Sequence, residues 1–249
     1  MEVKSKAELS VGKLLLLTFI PAILIVLLYA LLVTLCATVI PPVLSILLAI
    51  VLVLIPFELG VILYISKKEY GSFSLKSAFI FNNKLPVMKL LLYAIIPFII
   101  GGLAFMVIQP FENRILLDTV FKFVPKQYLL ADFINQIGNY PKATIIITLI
   151  LYLLLNGFAG PIVEELYFRG YIMPRLSRFK GFAPIITAVL FSLYHLFSPW
   201  ENVTRIVAVT PYHYVVWKKK NIYIGMIVHC SLNLVSSFML ISTVVGLLK

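Results

Sequence analysis

Charge is what this chain has least of. Asp, Glu, Lys and Arg make up 12% of its 249 residues, about half the share of a typical soluble domain, which excludes a conventional water-exposed surface. Acidic groups are the scarcer sign: ten, against 21 Lys and Arg, for a formal net charge of +11. Such an excess can signal nucleic acid, but the lysines fall in short clusters between apolar runs, as the cytoplasmic loops of polytopic membrane proteins do. No nucleic-acid partner is expected. Cysteine is limited to Cys36 and Cys230, both inside apolar runs, so there is neither a disulfide framework nor a zinc-ligand spacing. Histidine occurs three times and H-E-x-x-H not at all, which removes the helical zinc-protease signature.

What remains is mostly oil, with 61% hydrophobic residues and a mean hydropathy of +1.04. A membrane-crossing helix needs about 20 apolar residues. Successive runs of that size predict an all-α fold, a polytopic transmembrane bundle of about seven to eight helices forming a single integral membrane domain over residues 1–249. The polar start, 1–13, leads into an apolar run longer than the roughly 7–15 residues of a signal-peptide core, so this run is read as an uncleaved first membrane helix.

Spans are predicted at about 14–35, with Pro21 as a tolerated kink, and at about 43–65 and 90–108. Between 109 and 142, Glu112, Arg114, Asp118, Lys122, Lys126 and Asp132 alternate with apolar residues. That mixture predicts amphipathic segments lying along the interface, with an eighth span as the alternative. The next run, 143–178, is too long, because its 36 residues would reach ~54 Å against a hydrocarbon core of ~30 Å. Gly157, Gly160 and Pro161 offer a place to bend or break it, and the run is read as one long, kinked fourth helix with the Glu pair just past the kink. Three more spans follow at about 182–197, 203–217 and 222–248.

With seven helices, the basic clusters all share one side: Lys4, Lys6 and Lys13; Lys67, Lys68, Lys76, Lys84 and Lys89; Arg175, Arg178 and Lys180; Lys218, Lys219 and Lys220. An excess of Lys and Arg marks the cytoplasmic side. The expected protein therefore sits in the cell (plasma) membrane with its N-terminus cytoplasmic and its C-terminus outside.

Against this background the adjacent carboxylates Glu164 and Glu165 stand out, because a charged side chain at a helix centre in the bilayer costs roughly 3 kcal/mol or more. Arg169 lies one helical turn after Glu165, so the two can pair and leave Glu164 free to act. His195 follows Gly181 by 14 residues and Glu164 precedes Arg178 by 14, so both lie roughly 21 Å from the turn between their helices. His229 and Asn233 are also spaced i,i+4 and can reach the same layer. Phe191 stands one turn before His195, where its ring can pack on the imidazole. Of the remaining polar groups, His213 belongs to no such constellation and reads as structural or interfacial. Glu58, after Pro56, reads as an end-of-helix or packing residue near the cytoplasmic end of the second span, with cavity lining as the alternative.

The ordered set Glu164-Glu165-x-x-x-Arg169, Phe191-x-x-x-His195 and His229-x-x-x-Asn233 resembles the three motifs of the CPBP family, the CAAX prenyl endopeptidases and the bacteriocin-processing or abortive-infection-type intramembrane proteases. The resemblance spans about 157–237; the N-terminal half shares only its membrane helices. It implies an intramembrane endopeptidase whose partner is a membrane-embedded or lipid-modified, CAAX-like substrate. It implies Glu164 as the base that activates water, His195 as the group that polarises it, and His229 and Asn233 as oxyanion donors. Glu165, Arg169 and Phe191 would support them. No cofactor and no metal are expected. Zinc held by Glu, His and His is the alternative, disfavoured by the missing H-E-x-x-H, by Asn233 where a fourth ligand would stand, and by Arg169 beside the carboxylates. One departure concerns 209–214, where Pro211 and His213 stand in place of the glycines frequent in family members. Two other functions remain open at this level: a non-catalytic immunity or scaffold protein of the same family, and a proton-coupled transporter.

Overall fold

A computed structural model describes residues 8–248; Lys4 and Lys6 of the basic N-terminus lie outside the described residues. Apart from one bridge between Asn82 and Asn221, regular structure among the described residues is helical. Five helices are long and apolar enough to cross a membrane: α1 (Val11–Cys36), α2 (Pro42–Tyr70), α3 (Val87–Asp118), α4 (Lys142–Arg175) and α7 (Tyr223–Leu247). Between α4 and α7 lie α5 (Ala183–Tyr194) and α6 (Asn202–Lys219). The chain is an all-α polytopic membrane protein.

Its burial pattern is that of a protein dissolved in oil. Leu16, Leu27, Leu31, Ile96, Met106 and Phe238 are exposed, whereas Thr18, Ser45, Thr148, Thr187 and Thr204 are fully buried. Lipid tails solvate apolar side chains as well as a core does, so polar groups turn inward where they find partners. The helix most enclosed is α4. Every residue from 163 to 173 is buried, and the helix touches α2, α5, α6 and α7.

The over-long run does not break at Gly160-Pro161, because α4 is continuous over 34 residues. Its ladder instead widens into π-helical turns at Tyr152–Ala159 and Glu165–Ile172. The same device recurs at Ile50–Leu54 and Ala104–Ile108. Each of these four stretches ends two residues before a proline: Pro56, Pro110, Pro161 or Pro174. The reason is local. Proline offers no N–H and its ring presses on the carbonyl four residues back, so the preceding N–H groups shift to the next carbonyl down.

Two predicted boundaries move. Helix α5 stops after 12 residues, about 18 Å, too short to cross ~30 Å of hydrocarbon. It ends inside the bundle because His195 leaves the helix (φ −80°, ψ 57°). The segment 109–118 does not lie along the interface; it extends α3 beyond its π-helical turn, and no eighth span forms among 119–141. Its charges have a use. Glu112 accepts from the backbone N–H groups of Val203 and Thr204, both at 2.7 Å, and so caps the start of α6. That is the end where a helix presents unpaired donors and positive dipole.

The basic segments gather at one end, as their spacing required. Glu8 accepts from Ser177 and from the Arg178 backbone, and Arg175 forms a two-pronged pair with Glu69 at 2.8 Å. Asn83 bonds to Lys219 and Lys220, and Asn221 to Asn83.

Candidate active site

Four helices converge on the Glu164-Glu165 pair, and the two carboxylates have different surroundings. Glu165 is completely buried. Its Oε1 accepts from His229 Nδ1 at 2.9 Å and from the Tyr212 hydroxyl at 3.3 Å, and it faces Arg169 Nη1 at 3.2 Å. Its other face lies against Gly225, where a Cβ would collide with the carboxylate. Gly225 sits one turn before His229, so the bare backbone lets α7 close onto α4.

Arg169, also completely buried, is held on several sides. Nη2 donates to the Tyr212 hydroxyl and to His213 Nε2. The guanidinium lies 4.2 Å from the Phe191 ring centre and 5.0 Å from that of Tyr212, within cation–π range. Since Nε2 of His213 is an acceptor here, Nδ1 carries the proton, shared between Thr187 Oγ1 at 3.2 Å and the Pro184 carbonyl at 3.3 Å. His213 is thus structural, as expected, but it is a core partner of Arg169 and not an interfacial residue.

Glu164 is placed otherwise. Its Oε1 lies 3.8 Å from His195 Nε2 and its Oε2 lies 3.9 Å from His229 Nε2. Both gaps are too long for direct hydrogen bonds, and polar groups at such separations commonly share a water. Small exposed fractions remain on the side chains of Glu164 (8%), His195 (14%) and His229 (10%), against none on Glu165 and Arg169. These three side chains keep a little accessible surface, whereas the ion pair keeps none.

Hydrogen bonding sets the two imidazoles. His195 Nδ1 lies 2.7 Å from the Phe191 carbonyl; a carbonyl only accepts, so Nδ1 carries hydrogen and Nε2 faces Glu164. His229 is oriented the same way by Glu165. Phe191 joins these parts, its ring meeting those of His195, His229 and His213 edge-on at centroid distances of 4.8, 5.6 and 6.2 Å. Past His195, the chain is held by Arg205, which donates to Ser198 at 2.8 Å and pairs with Glu201 at 3.1 Å.

Asn233 reaches the same helix pair through a backbone vacancy. Its Nδ2 donates to the Asn156 carbonyl at 2.9 Å. In the π-helical register of this stretch, shown by Gly160 N–H bonding to the Leu155 carbonyl, the donor for Asn156 would be residue 161, which is proline. An amide carries two donor hydrogens, so the second one on Asn233 is not committed by this bond.

Sequence reasoning passed over Tyr212, Gly225, Asn156 and the central place of His213. Gly225, one turn before His229, carried a readable signal. The others belong to helices whose facing depends on packing. Among the described residues no cluster of three or more His, Cys, Asp or Glu side chains is arranged as a metal-binding group.

Neither a curated protein nor a solved structure matches the chain. Residues 146–235, which hold every motif residue of this site, do match the family model described as type II CAAX prenyl endopeptidase, Rce1-like, in agreement with the CPBP family that the three motifs resemble.

Proposed function

We propose that the protein is an intramembrane endopeptidase in which Glu164 activates water against a peptide bond. The observation that carries this reading is Glu164 itself, an oxygen turned to each of two imidazole Nε2 atoms at 3.8 and 3.9 Å, beside a buried ion pair that it does not join. A water beside Glu164 gives up a proton to the carboxylate as its oxygen attacks the carbonyl carbon. His195 Nε2 orients that water. The oxyanion meets Nε2 of His229 and the second amide hydrogen of Asn233. Donation from His229 requires a doubly protonated ring, whose Nδ1–H is accepted by Glu165. When the C–N bond breaks, the proton on Glu164 passes to the leaving amine.

Positioned general bases are typically worth about 10²–10⁴ in rate, and an oxyanion donor about 10²–10³. Glu164→Gln is therefore expected to abolish cleavage of an internally quenched, farnesylated peptide ending in a CAAX-like sequence, and to leave folding and membrane insertion intact. Undiminished cleavage by that variant refutes the assignment. A terminal proteomics comparison of cells carrying either form, searching for a lost new C-terminus, extends the test to unprenylated substrates.

The mechanism is proposed as metal-free, because Arg169 places a fixed positive charge beside the carboxylates. Activity in strong chelator is expected to persist; loss restored only by zinc overturns this. The chain is further proposed to lie in the plasma membrane with its basic end, and so its N-terminus, in the cytoplasm.

A further inference from the structure

We propose that Glu58 is a positioning residue for His195, acting through Tyr194. The proposal rests on the peptidase reading above and adds a third carboxylate to the site's supports. Glu58 is not at a helix end. It lies in the body of α2, 12 residues before that helix closes at Tyr70, and none of its surface is exposed. A carboxylate so buried is normally paired with a cation, yet no ion pair to Glu58 forms among the described residues.

Its one hydrogen-bond partner is Tyr194, whose hydroxyl donates to Oε1 at 3.0 Å. Its Oε2 is buried and unpartnered. The neighbouring Tyr167 hydroxyl cannot help, being committed to the Leu17 carbonyl at 2.9 Å. Tyr194 is 1% exposed and is the last residue of α5 before the backbone turns out of the helix at His195. Its ring packs edge-on against the imidazole of His195 at 5.4 Å and against Phe168 at 5.3 Å.

These contacts define a short mechanical chain. The Glu58 carboxylate on α2 fixes the Tyr194 hydroxyl, the tyrosine ring fixes the point where α5 stops, and that point sets where Nε2 of His195 stands relative to Glu164. Helix α5 is short and ends inside the bundle, so it has no interfacial anchor at this end. An interior tether is what holds it, and Glu58 supplies one from a neighbouring span.

The test uses the full chain in detergent and two readouts. Hydrogen exchange of segment 190–199 should speed up about tenfold or more in Glu58→Leu and in Tyr194→Phe, while α1 keeps its wild-type exchange, since each change removes a buried hydrogen bond. Glu58→Gln, whose amide oxygen still accepts from Tyr194, should stay within about threefold of wild type. The double variant Glu58→Leu/Tyr194→Phe should be no worse than either single one.

On the farnesylated CAAX-type peptide, the same two disruptive variants should lower kcat with KM unchanged, and Glu58→Gln should restore it. Unchanged exchange at 190–199 in both disruptive variants overturns the proposal, and so does uniform acceleration throughout the chain, which would make Glu58 a general prop. If the wild type cleaves neither this peptide nor any protein in the terminal proteomics comparison, the peptidase reading fails, and the exchange data alone still decide whether Glu58 positions His195.

Discussion

Two neighbouring glutamates illustrate how much a few ångströms of surroundings decide. Glu165 is ringed by Arg169, His229 and Tyr212 and meets no solvent, whereas Glu164 keeps a sliver of exposure and touches none of its neighbours at bonding distance. Replacing one member of the buried pair strands the other. Arg169→Ala is expected to destabilise the fold by about 3–5 kcal/mol, read as a lower unfolding midpoint in detergent. Glu164→Gln, by contrast, should change that midpoint little while removing activity. The i,i+4 spacing made the Glu165–Arg169 contact legible in the sequence. The Tyr212 and His213 contacts to Arg169 were not legible, because adjacent residues on a helix diverge by about 100° and only packing shows that both edges meet the guanidinium.

At the scale of the element, proline is the organising residue. Four prolines each push the turn before them into a wider register, and the widened turn before Pro161 leaves the carbonyl that Asn233 takes up. Pro161→Ala would restore an N–H to compete for that carbonyl and let the ladder re-form. We expect a small gain in stability but a roughly ten- to hundredfold fall in cleavage rate, since a displaced catalytic group is costly; paired kcat and unfolding measurements check both signs.

Glycine has one strict position in α4. At Gly170 a Cβ would run into the backbone carbonyl of Ala78, in the turn that also supplies the Ser77 carbonyl to Arg175. Backbone cannot swing aside as a flexible side chain can. Gly170→Ala should therefore cost about 1–3 kcal/mol, seen as a lowered unfolding midpoint and faster exchange in 74–80.

On the scale of the whole molecule, the basic turns form one face. Lys68 precedes the loop whose Asn83 bonds to Lys219, and Arg175 is tied to Glu69. In a chain with Cys36 and Cys230 replaced by alanine, an impermeant maleimide should label Lys122→Cys in intact cells. Lys68→Cys and Lys219→Cys should label only after permeabilisation, and the reverse pattern overturns the proposed orientation.

Composition and run length determined by themselves that this is a helical membrane protein, which polar residues are exceptional in it, and where most of its helices lie. These are properties of burial cost per residue along the chain, and they need no knowledge of neighbours. Tertiary structure alone decided that α5 ends part-way at His195, that Tyr212 and His213 both meet Arg169, and that Glu58 stands inside the bundle. Each of these depends on packing against a distant helix, and such neighbours, unlike hydropathy, are not written in local sequence.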